Sequence, residues 1–377
     1  MIQKQNKIKT ALCKNVLAFT IFLFAGTTVV NAQLSPVLIQ REALLRPVLK
    51  QELLSLRSEL AARNVKFEVG ATEVADRPLL AITGARRTTI NPALFNSRLK
   101  KQYPPLVTNK PKSFSMLRYN LVTPIRDQGF CGSCWNFALV ACAETNYLMK
   151  YSKTDADASS IDFSEQQIMC NANVGTCEGG YSSGVAKWLF ENEIRMLSEK
   201  SLPYKSGTFD YQKPKCPEPT GVGVYRVVDF GLVPIQPGKD YPEVNDIKQA
   251  ILEHGAVTAA FYADMLVFKQ IIRWYAGKEP YDEQKPISTP KDYIPQPAGH
   301  QVAIVGWDDA IQCWIIKNSW GTSWGDNGYG LFRYGAHKIG SDATWVEVEK
   351  IKIYSPKVEI NNPSDPKPPS IRRKTRG

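Results

Sequence analysis

Near the start of the chain apolar residues recur at spacings of three and four, and towards its end they fall in short runs rich in β-branched and aromatic residues. The two patterns predict different halves. In VLKQELLSLRSELAAR, residues 48–63, Val48, Leu49, Leu53, Leu56 and Leu60 share one face of a helix that needs a surface to lie against. KFEVGATEVADRPLLAITGARR, residues 66–87, reads as strand-like with Gly70 inside it, and the proline-punctuated KKQYPPLVTNKPKS, residues 100–113, reads as an exposed connector. NFALVACAETNYLMK, residues 136–150, is apolar nearly all round, as a core helix is. Ser164 with Gln167 forms a capping-box signature, Ser183 opens the amphipathic GVAKWLFEN, and Asn245 caps DIKQAILEH, which stops at His254-Gly255. From there AVTAAFYA, HQVAIVGW, QCWIIKNSW and GYGLFRYG read as strands. A helical half followed by an antiparallel sheet half predicts an α+β body of two lobes.

The ends carry other signals. Four lysines, an apolar run from Val16 to Val30 and the small-residue site Val30-Asn31-Ala32 read as a cleaved signal peptide over residues 1–32. That run is shorter than the roughly 20 residues a membrane span needs, so stable membrane insertion is not expected. The tail, residues 355–377, is basic, Pro-rich and expected to be disordered. Net charge is +11, yet residues 1–32 carry +4 and residues 352–377 carry +5, leaving about +2 for everything between. With no basic stripe interleaved with aromatics, nucleic-acid binding is not expected.

After removal of the signal peptide seven cysteines remain, at 131, 134, 142, 170, 177, 216 and 313. An odd number in an exported chain leaves at least one free thiol. RDQGFCGSCW, residues 126–135, holds two of them, and a redox pair, half a zinc site, or one structural and one reactive sulfur are the readings to separate. No second Cys/His pair is spaced to complete a zinc site, so neither a metal nor a cofactor is expected. Cys134 stands at the start of the core helix, where the helix dipole favours a thiolate. A thiolate nucleophile needs a base, and the chain has three histidines. His254, in the last turn of its helix, complements the dipole there, and His337 lies in a polar turn where it is solvated. His300 instead opens a strand followed by a turn and a second strand. A hairpin centred on Asp309 pairs His300 with Asn318 on one face, a base with an orienting amide.

VTPIRDQGFCGSCWNF at 122–137, FSEQQIMC at 163–170 followed by CEGGY at 177–181, GHQVAIVGW at 299–307 and IIKNSWGTSWGDNGYG at 315–330 together resemble the papain-like cysteine peptidases. The resemblance implies a two-lobe fold with a buried central helix, a β-barrel-like lobe and the active site between them. It implies that Cys134 is the nucleophile, His300 its imidazolium partner, Asn318 the orienting residue, Gln128 an oxyanion donor, and Trp320 the indole that shields the His–Asn contact. Gly132, Ser133, Gly179 and Gly180 match residues against which a peptide lies. Tyr181, Ser182, Ala260, Ala298 and Gln301 join Gly180 in lining the pocket for the residue before the scissile one. Gly277–Pro297 enters the site just before His300. Cys131–Cys177 and Cys170–Cys216 are the implied bridges, while Cys142 and Cys313 have no assigned family counterpart and fit buried thiols.

The helix over 48–63 and the stretch with Gly70 and Asp76 resemble an inhibitory pro-region whose chain crosses the cleft in reverse, released when acid protonates Glu73 and Asp76. Ser115-Met116 and Gly299 depart from the family's usual residues. The sequence is identified as a secreted endopeptidase proenzyme: signal peptide 1–32, pro-segment 33–108, catalytic unit 109–354 and tail 355–377. It is expected to be a monomer acting on peptides or proteins, outside the cell or in the periplasm, or in a lysosome or vacuole if the cell is eukaryotic. Two rivals are a non-catalytic binding protein of the same fold and a thiol-disulfide oxidoreductase using Cys131 and Cys134.

Overall fold

The computed structural model describes residues 36–65, 67–86, 109–152, 158–205, 217–263, 265–274, 280–281 and 298–351. The signal-peptide stretch, the connector up to residue 108, residues 282–297 and the tail lie outside the described residues.

The first described helix, α1 (Pro36–Leu44), has no forerunner in the sequence reading. It is followed by α2 (Pro47–Ala62), opened by a proline whose missing N–H costs nothing at that position. Leu53, Leu56 and Leu60 are buried, whereas Val48 is 67% exposed, so only the later part of the expected stripe finds a partner. Strand β1 (Phe67–Val69) and the single turn of α3 (Leu79–Ile82) complete this module.

The body begins with β2 (Ser113–Ser115) and the central helix α4 (Cys134–Tyr151), buried on every side from Cys134 to Leu148. In α5 (Glu165–Asn171) the Ser164 hydroxyl accepts from the Gln167 N–H at 3.1 Å, half of the expected box. The Gln167 side chain turns instead to the Leu197 N–H and the Arg195 carbonyl, tying down the loop beyond. The short β3 (Gly175–Thr176) and β4 (Gly179–Gly180) pair with each other, and α6 (Ser182–Glu191) starts after Tyr181.

The sheet half opens earlier than its hydrophobic pattern suggests, with β5 (Tyr225–Leu232). Helix α7 (Val244–His254) starts after Glu243, so Asn245 lies inside the first turn and caps nothing. Then come β6 (Val257–Ala263), α8 (Met265–Phe268), β7 (Ile271–Trp274), β8 (Ala298–Asp308), β9 (Cys313–Lys317), β10 (Tyr329–Arg333) and β11 (Thr344–Lys350). Antiparallel strands run in the order β10-β9-β8-β2, with β6 also on β8, and β5 pairs with β11. Helix α4 packs against β8 and β11, which seats the helical lobe on the sheet lobe. The sheet-lobe core is largely aromatic, with Phe261, Phe268, Trp307, Trp314, Trp320, Trp324 and Phe332 fully buried.

The register of β8 on β9 differs from the expected one. Asp308 faces Cys313 across a four-residue turn, and a bulge between Ile304 and Gly306 then sets Ala303 against Lys317. His300 and Asn318 are therefore not cross-strand partners, and Asn318 lies just past the end of β9. An extra residue in one strand shifts the ladder locally. No helix among the described residues is long and apolar enough to cross a membrane.

Candidate active site

Cys134 is the first residue of α4, fully buried, and is a free thiol. Cys131 is bonded to Cys177 and not to Cys134, which removes the disulfide-exchange reading of the pair. The bridge brings the two loops so close that a Cβ at Gly132 would lie 2.5 Å from the Cys177 carbonyl oxygen, leaving room only for glycine. Cys170 is also disulfide-bonded; Cys216, its implied partner, lies outside the described residues. Cys142 and Cys313 are buried free thiols.

Gln128 is fixed at three points. Its backbone N–H donates to the Ser319 carbonyl (2.9 Å), its side-chain oxygen accepts from the Ser319 hydroxyl (2.7 Å), and its amide nitrogen donates to the Cys131 carbonyl (2.9 Å). An amide nitrogen has two hydrogens, so one donor is left over. Tyr204, which the sequence did not single out, donates to the Gln128 carbonyl (3.0 Å) and bonds the Ser133 hydroxyl (2.8 Å), holding the loop from below.

Opposite, His300 is on β8 and fully buried. Its Nε2 lies 2.8 Å from Asn318 Oδ1, which also accepts the Ser319 N–H at 2.8 Å. That second bond fixes the amide oxygen, so Nε2 carries the hydrogen and Nδ1 is left as the basic nitrogen, without a hydrogen-bond partner. Trp320 covers the pair, its ring centroid 4.3 Å from that of His300. The Gln301 backbone N–H, one residue after His300, faces the Cys134 sulfur, and Ala260, opposite Gln301 on β6, packs on Cys134.

The cleft between the lobes is occupied by residues 82–86 of the same chain. The Ile82 carbonyl accepts the Trp320 indole N–H (3.0 Å) and borders His300. Gly84 and Ala85 both donate to the Gly299 carbonyl, Gly180 donates to Gly84 (2.9 Å), and Arg86 donates to Gly180 (2.8 Å). Ala85 and Gly180 are bridged in parallel. At Gly299, a departure noted in the sequence, a Cβ would lie 2.2 Å from the Ala85 carbonyl oxygen, so glycine admits this segment. Ala85 packs directly on Cys134.

This cover sets the electrostatics. Burial pushes the Cys134 thiol up to about 12, outweighing backbone N–H groups of Gln301, Trp135 and Ala85 that favour the thiolate. Burial likewise lowers His300 to about 4, against Asn318 and Ile82, which favour the cation. In the covered chain burial thus disfavours the charged forms of both groups, thiolate and imidazolium alike, because each charge loses its hydration.

The segment is anchored by Gly70 N–H to the Gln270 carbonyl (2.8 Å), Thr72 to the Lys269 carbonyl (2.6 Å), Glu73 N–H to the Ser323 hydroxyl (2.8 Å), and pairing of β1 with β7. Of the carboxylates named from the sequence, only Asp76 acts on a charge of the body, through its field at the buried Lys269. Glu73 pairs with Arg41 of its own module at 2.8 Å, and Asp76 is exposed. Among the described residues the ion pairs between module and body are Arg77–Asp127, at 2.6 and 2.7 Å, Glu68–Arg273, and the exposed Arg86–Glu178 at 4.0 Å. Two other histidine readings change. His337 is half-buried and stacks on Tyr281, and His254 bonds Glu347 at 2.9 Å while stacking on Trp345.

Among the implied pocket residues, Ser182 donates to the Trp135 carbonyl (2.6 Å), and Tyr181 precedes α6. Gln301 donates to Asp342 at 3.0 Å. Asp342, missed in the sequence because it is distant and flanked by small residues, is buried beneath that pocket with its carboxyl raised to about 6 by burial, against bonds from Ser183 and Gln301. The side chain of Ala298 and nearly all of 277–297 lie outside the described residues. Lys317, adjacent to Asn318, donates to Thr123 (2.8 Å), which bonds buried Glu144 on α4, a polar tie between the lobes that periodicity did not reveal.

A free thiol at a helix start and, on β8, a buried histidine held by an asparagine are the parts of a thiol-protease type of site, and the sequence model described as papain family cysteine protease matches residues 110–347. The chain belongs to the papain family of cysteine proteases. It is 32% identical to Peptidase 1 of Dermatophagoides farinae over 231 residues, 60% of this chain and 62% of that protein. The chain thus spans about three fifths of the mite relatives' length. It is 28% identical to thiol protease aleurain of Arabidopsis thaliana over 308 residues, 79% of this chain and 76% of the relative. The fold is shared with digestive procathepsin L 3 of Tenebrio molitor larval midgut, at a TM-score of 0.58, 20% identity and coverage of 84% and 94%. It is shared too with proCathepsin B S9 of Trypanosoma congolense, at a TM-score of 0.59, 18% identity and coverage of 80% and 98%.

Proposed function

We propose that the chain is the proenzyme of a cysteine endopeptidase in which Cys134 and His300 carry out peptide hydrolysis. Once the segment has left, the Cys134 thiol proton passes to His300 Nδ1, the thiolate of the resulting thiolate–imidazolium pair attacks the scissile carbonyl carbon to form the acyl-enzyme, and the oxyanion is received by the spare Gln128 N–H and the backbone N–H of Cys134. The imidazolium then gives its proton to the leaving amine. Water, deprotonated by the same nitrogen, hydrolyses the thioester and restores the thiol. Asn318 holds the ring with Nδ1 as its basic nitrogen, and Trp320 keeps water from that bond.

The observation that carries this reading is the histidine tautomer: Asn318 Oδ1 accepts two hydrogen bonds, which leaves Nδ1 of the buried His300 as a basic nitrogen without a hydrogen-bond partner. Gly132, Ser133, Gly179 and Gly180 bind the substrate backbone, and Tyr181, Ser182, Ala260, Ala298 and Gln301 line the pocket for the residue before the scissile one. Residues 33–108 act as the inhibitory pro-segment, since residues 82–86 bond the cleft edges a substrate needs. The parallel Ala85–Gly180 bridge supports a blocking chain reversed relative to an antiparallel, cleavable one. Residues 109–354 are the catalytic unit, exported by a signal peptide over 1–32 and active as a monomer outside the cell or in the periplasm, or in a lysosome or vacuole if the cell is eukaryotic.

The test is cleavage of a peptide library by the wild-type chain after acid treatment, beside Cys134→Ala. Internal cleavage by wild type alone is expected, with trimming of the chain inside residues 99–113. Equal cleavage by both proteins overturns the assignment, and release of C-terminal dipeptides alone overturns the endopeptidase reading.

A further inference from the structure

Arg77 does more than tether the pro-segment. Its guanidinium makes a bidentate ion pair with Asp127, at 2.6 and 2.7 Å, donates to the Gly129 carbonyl at 3.2 Å, and lies 5.2 Å from the centre of the Phe130 ring. An anion, a carbonyl and an aromatic face arranged around one side chain are the three partners a guanidinium takes. The Arg77 side chain is only 10% exposed, while Asp127 is 34% exposed, so the cation is the group that is enclosed. All three partners belong to the body, in the loop that carries Gln128, whereas Arg77 belongs to the segment that must leave.

The position along the cleft is set by the blocking chain. Gly84–Arg86 lie on the wall formed by Gly180 and Gly299, and Ile82 lies against His300 and Trp320. Arg77 comes before Ile82 and reaches the other side, where Asp127 is bridged to Trp320. Because Asp127 is adjacent to Gln128, the pocket is within about one to three residues of the scissile bond for a chain advancing roughly 3.3 Å per residue.

We infer that the pocket formed by Asp127, the Gly129 carbonyl and Phe130, filled by Arg77 in the latent chain, is a subsite of the active enzyme for an arginine or lysine side chain on the leaving-group side of the substrate. This rests on the peptidase reading above only for which side of the cut the residue occupies. The pro-segment then inhibits partly by presenting the side chain that the substrate presents. Release exposes the carboxylate and the ring together.

The test uses the full chain nicked within residues 87–108, with Cys134 capped by a methylthio group so that no turnover is required. Unlabelled peptides carrying arginine, citrulline or glutamine at the first, second or third position after the cleavage point compete with the fluorescently labelled pro-segment, and its displacement is read by anisotropy. At one of the three positions the arginine peptide should displace the segment at about tenfold lower concentration than its citrulline isostere, the factor that a modest charge-pair coupling of about 1.4 kcal/mol gives. The advantage should vanish in Asp127→Asn and shrink in high salt. Equal displacement by arginine and citrulline peptides at all three positions overturns the inference, as does an arginine advantage that survives in Asp127→Asn. The citrulline comparison in the unsubstituted chain stands even if Asp127→Asn does not fold.

Discussion

His300 donates to Asn318 across 2.8 Å although the two residues are not opposite one another in the sheet. The contact is made because a bulge in β8 shifts the ladder and Asn318 sits where the chain leaves β9, its oxygen also held by the Ser319 N–H.

Asn318→Ala removes the acceptor and frees the ring to rotate and to exchange tautomers. The expected loss in kcat is about 100-fold, the scale set by misplacing a reacting group by about an ångström, with KM little changed. Steady-state kinetics on one internally cleaved peptide checks it; an unchanged kcat shows that Trp320 alone holds the ring.

Gln128 is anchored by Ser319 and Cys131 with one N–H to spare. Gln128→Ala should lower turnover by about 100-fold while leaving alkylation of Cys134 in the trimmed enzyme largely intact, since the donor acts on the oxyanion and not on the thiol. Equal loss of alkylation and turnover points instead to collapse of the loop.

Beside Glu73 and Asp76, His300 is a second group whose protonation is expected to favour release in acid. Under the segment His300 is lowered to about 4 from an ordinary value of 6.5, so the covered state excludes the proton that the open state binds. Closure therefore keeps its full strength above about pH 6.5 and weakens as pH falls towards 4, by at most about 1.4 kcal/mol per unit. Full-length Cys134→Ala should show faster amide exchange over residues 79–86, after correction for intrinsic rates, as pH drops through that window. The double variant with His300→Gln should lose this dependence; an identical pH profile in both removes His300 as the trigger.

Glu347 on β11 accepts from Lys150 at 2.6 Å and meets His254 at 2.9 Å, joining α4, α7 and β11. The bond to His254 and the Lys150 contact lower its carboxyl from 4.5 to about 2. Its stabilising effect is present above pH 4.5 and is lost as pH falls towards 2. Glu347→Gln should cost about 1–3 kcal/mol at neutral pH and much less near pH 2 to 3, measured by denaturant unfolding. A loss that does not depend on pH assigns the residue a packing role.

The elements of the body were legible where local chemistry decides them: the apolar helix behind Cys134, the Ser164 cap, and four strands bounded by Gly and Asp. The motif residues Gln128, Cys134, His300 and Asn318 were legible too, because each is embedded in a short distinctive run. Strand β5 was not, since its ladder with β11 joins residues more than a hundred positions apart. Pairing at that distance depends on the closed fold and not on local preference. The same holds for Asp342 under Gln301, for Lys317, Thr123 and Glu144 between the lobes, and for Arg77 on Asp127. By itself the sequence determined which side chains are available and on which kinds of element they ride. Only the tertiary structure decided their contacts and the direction in which their titration moves, because burial disfavours the charged forms of Cys134 and His300, and desolvation depends on what covers a group, not on its neighbours in the chain.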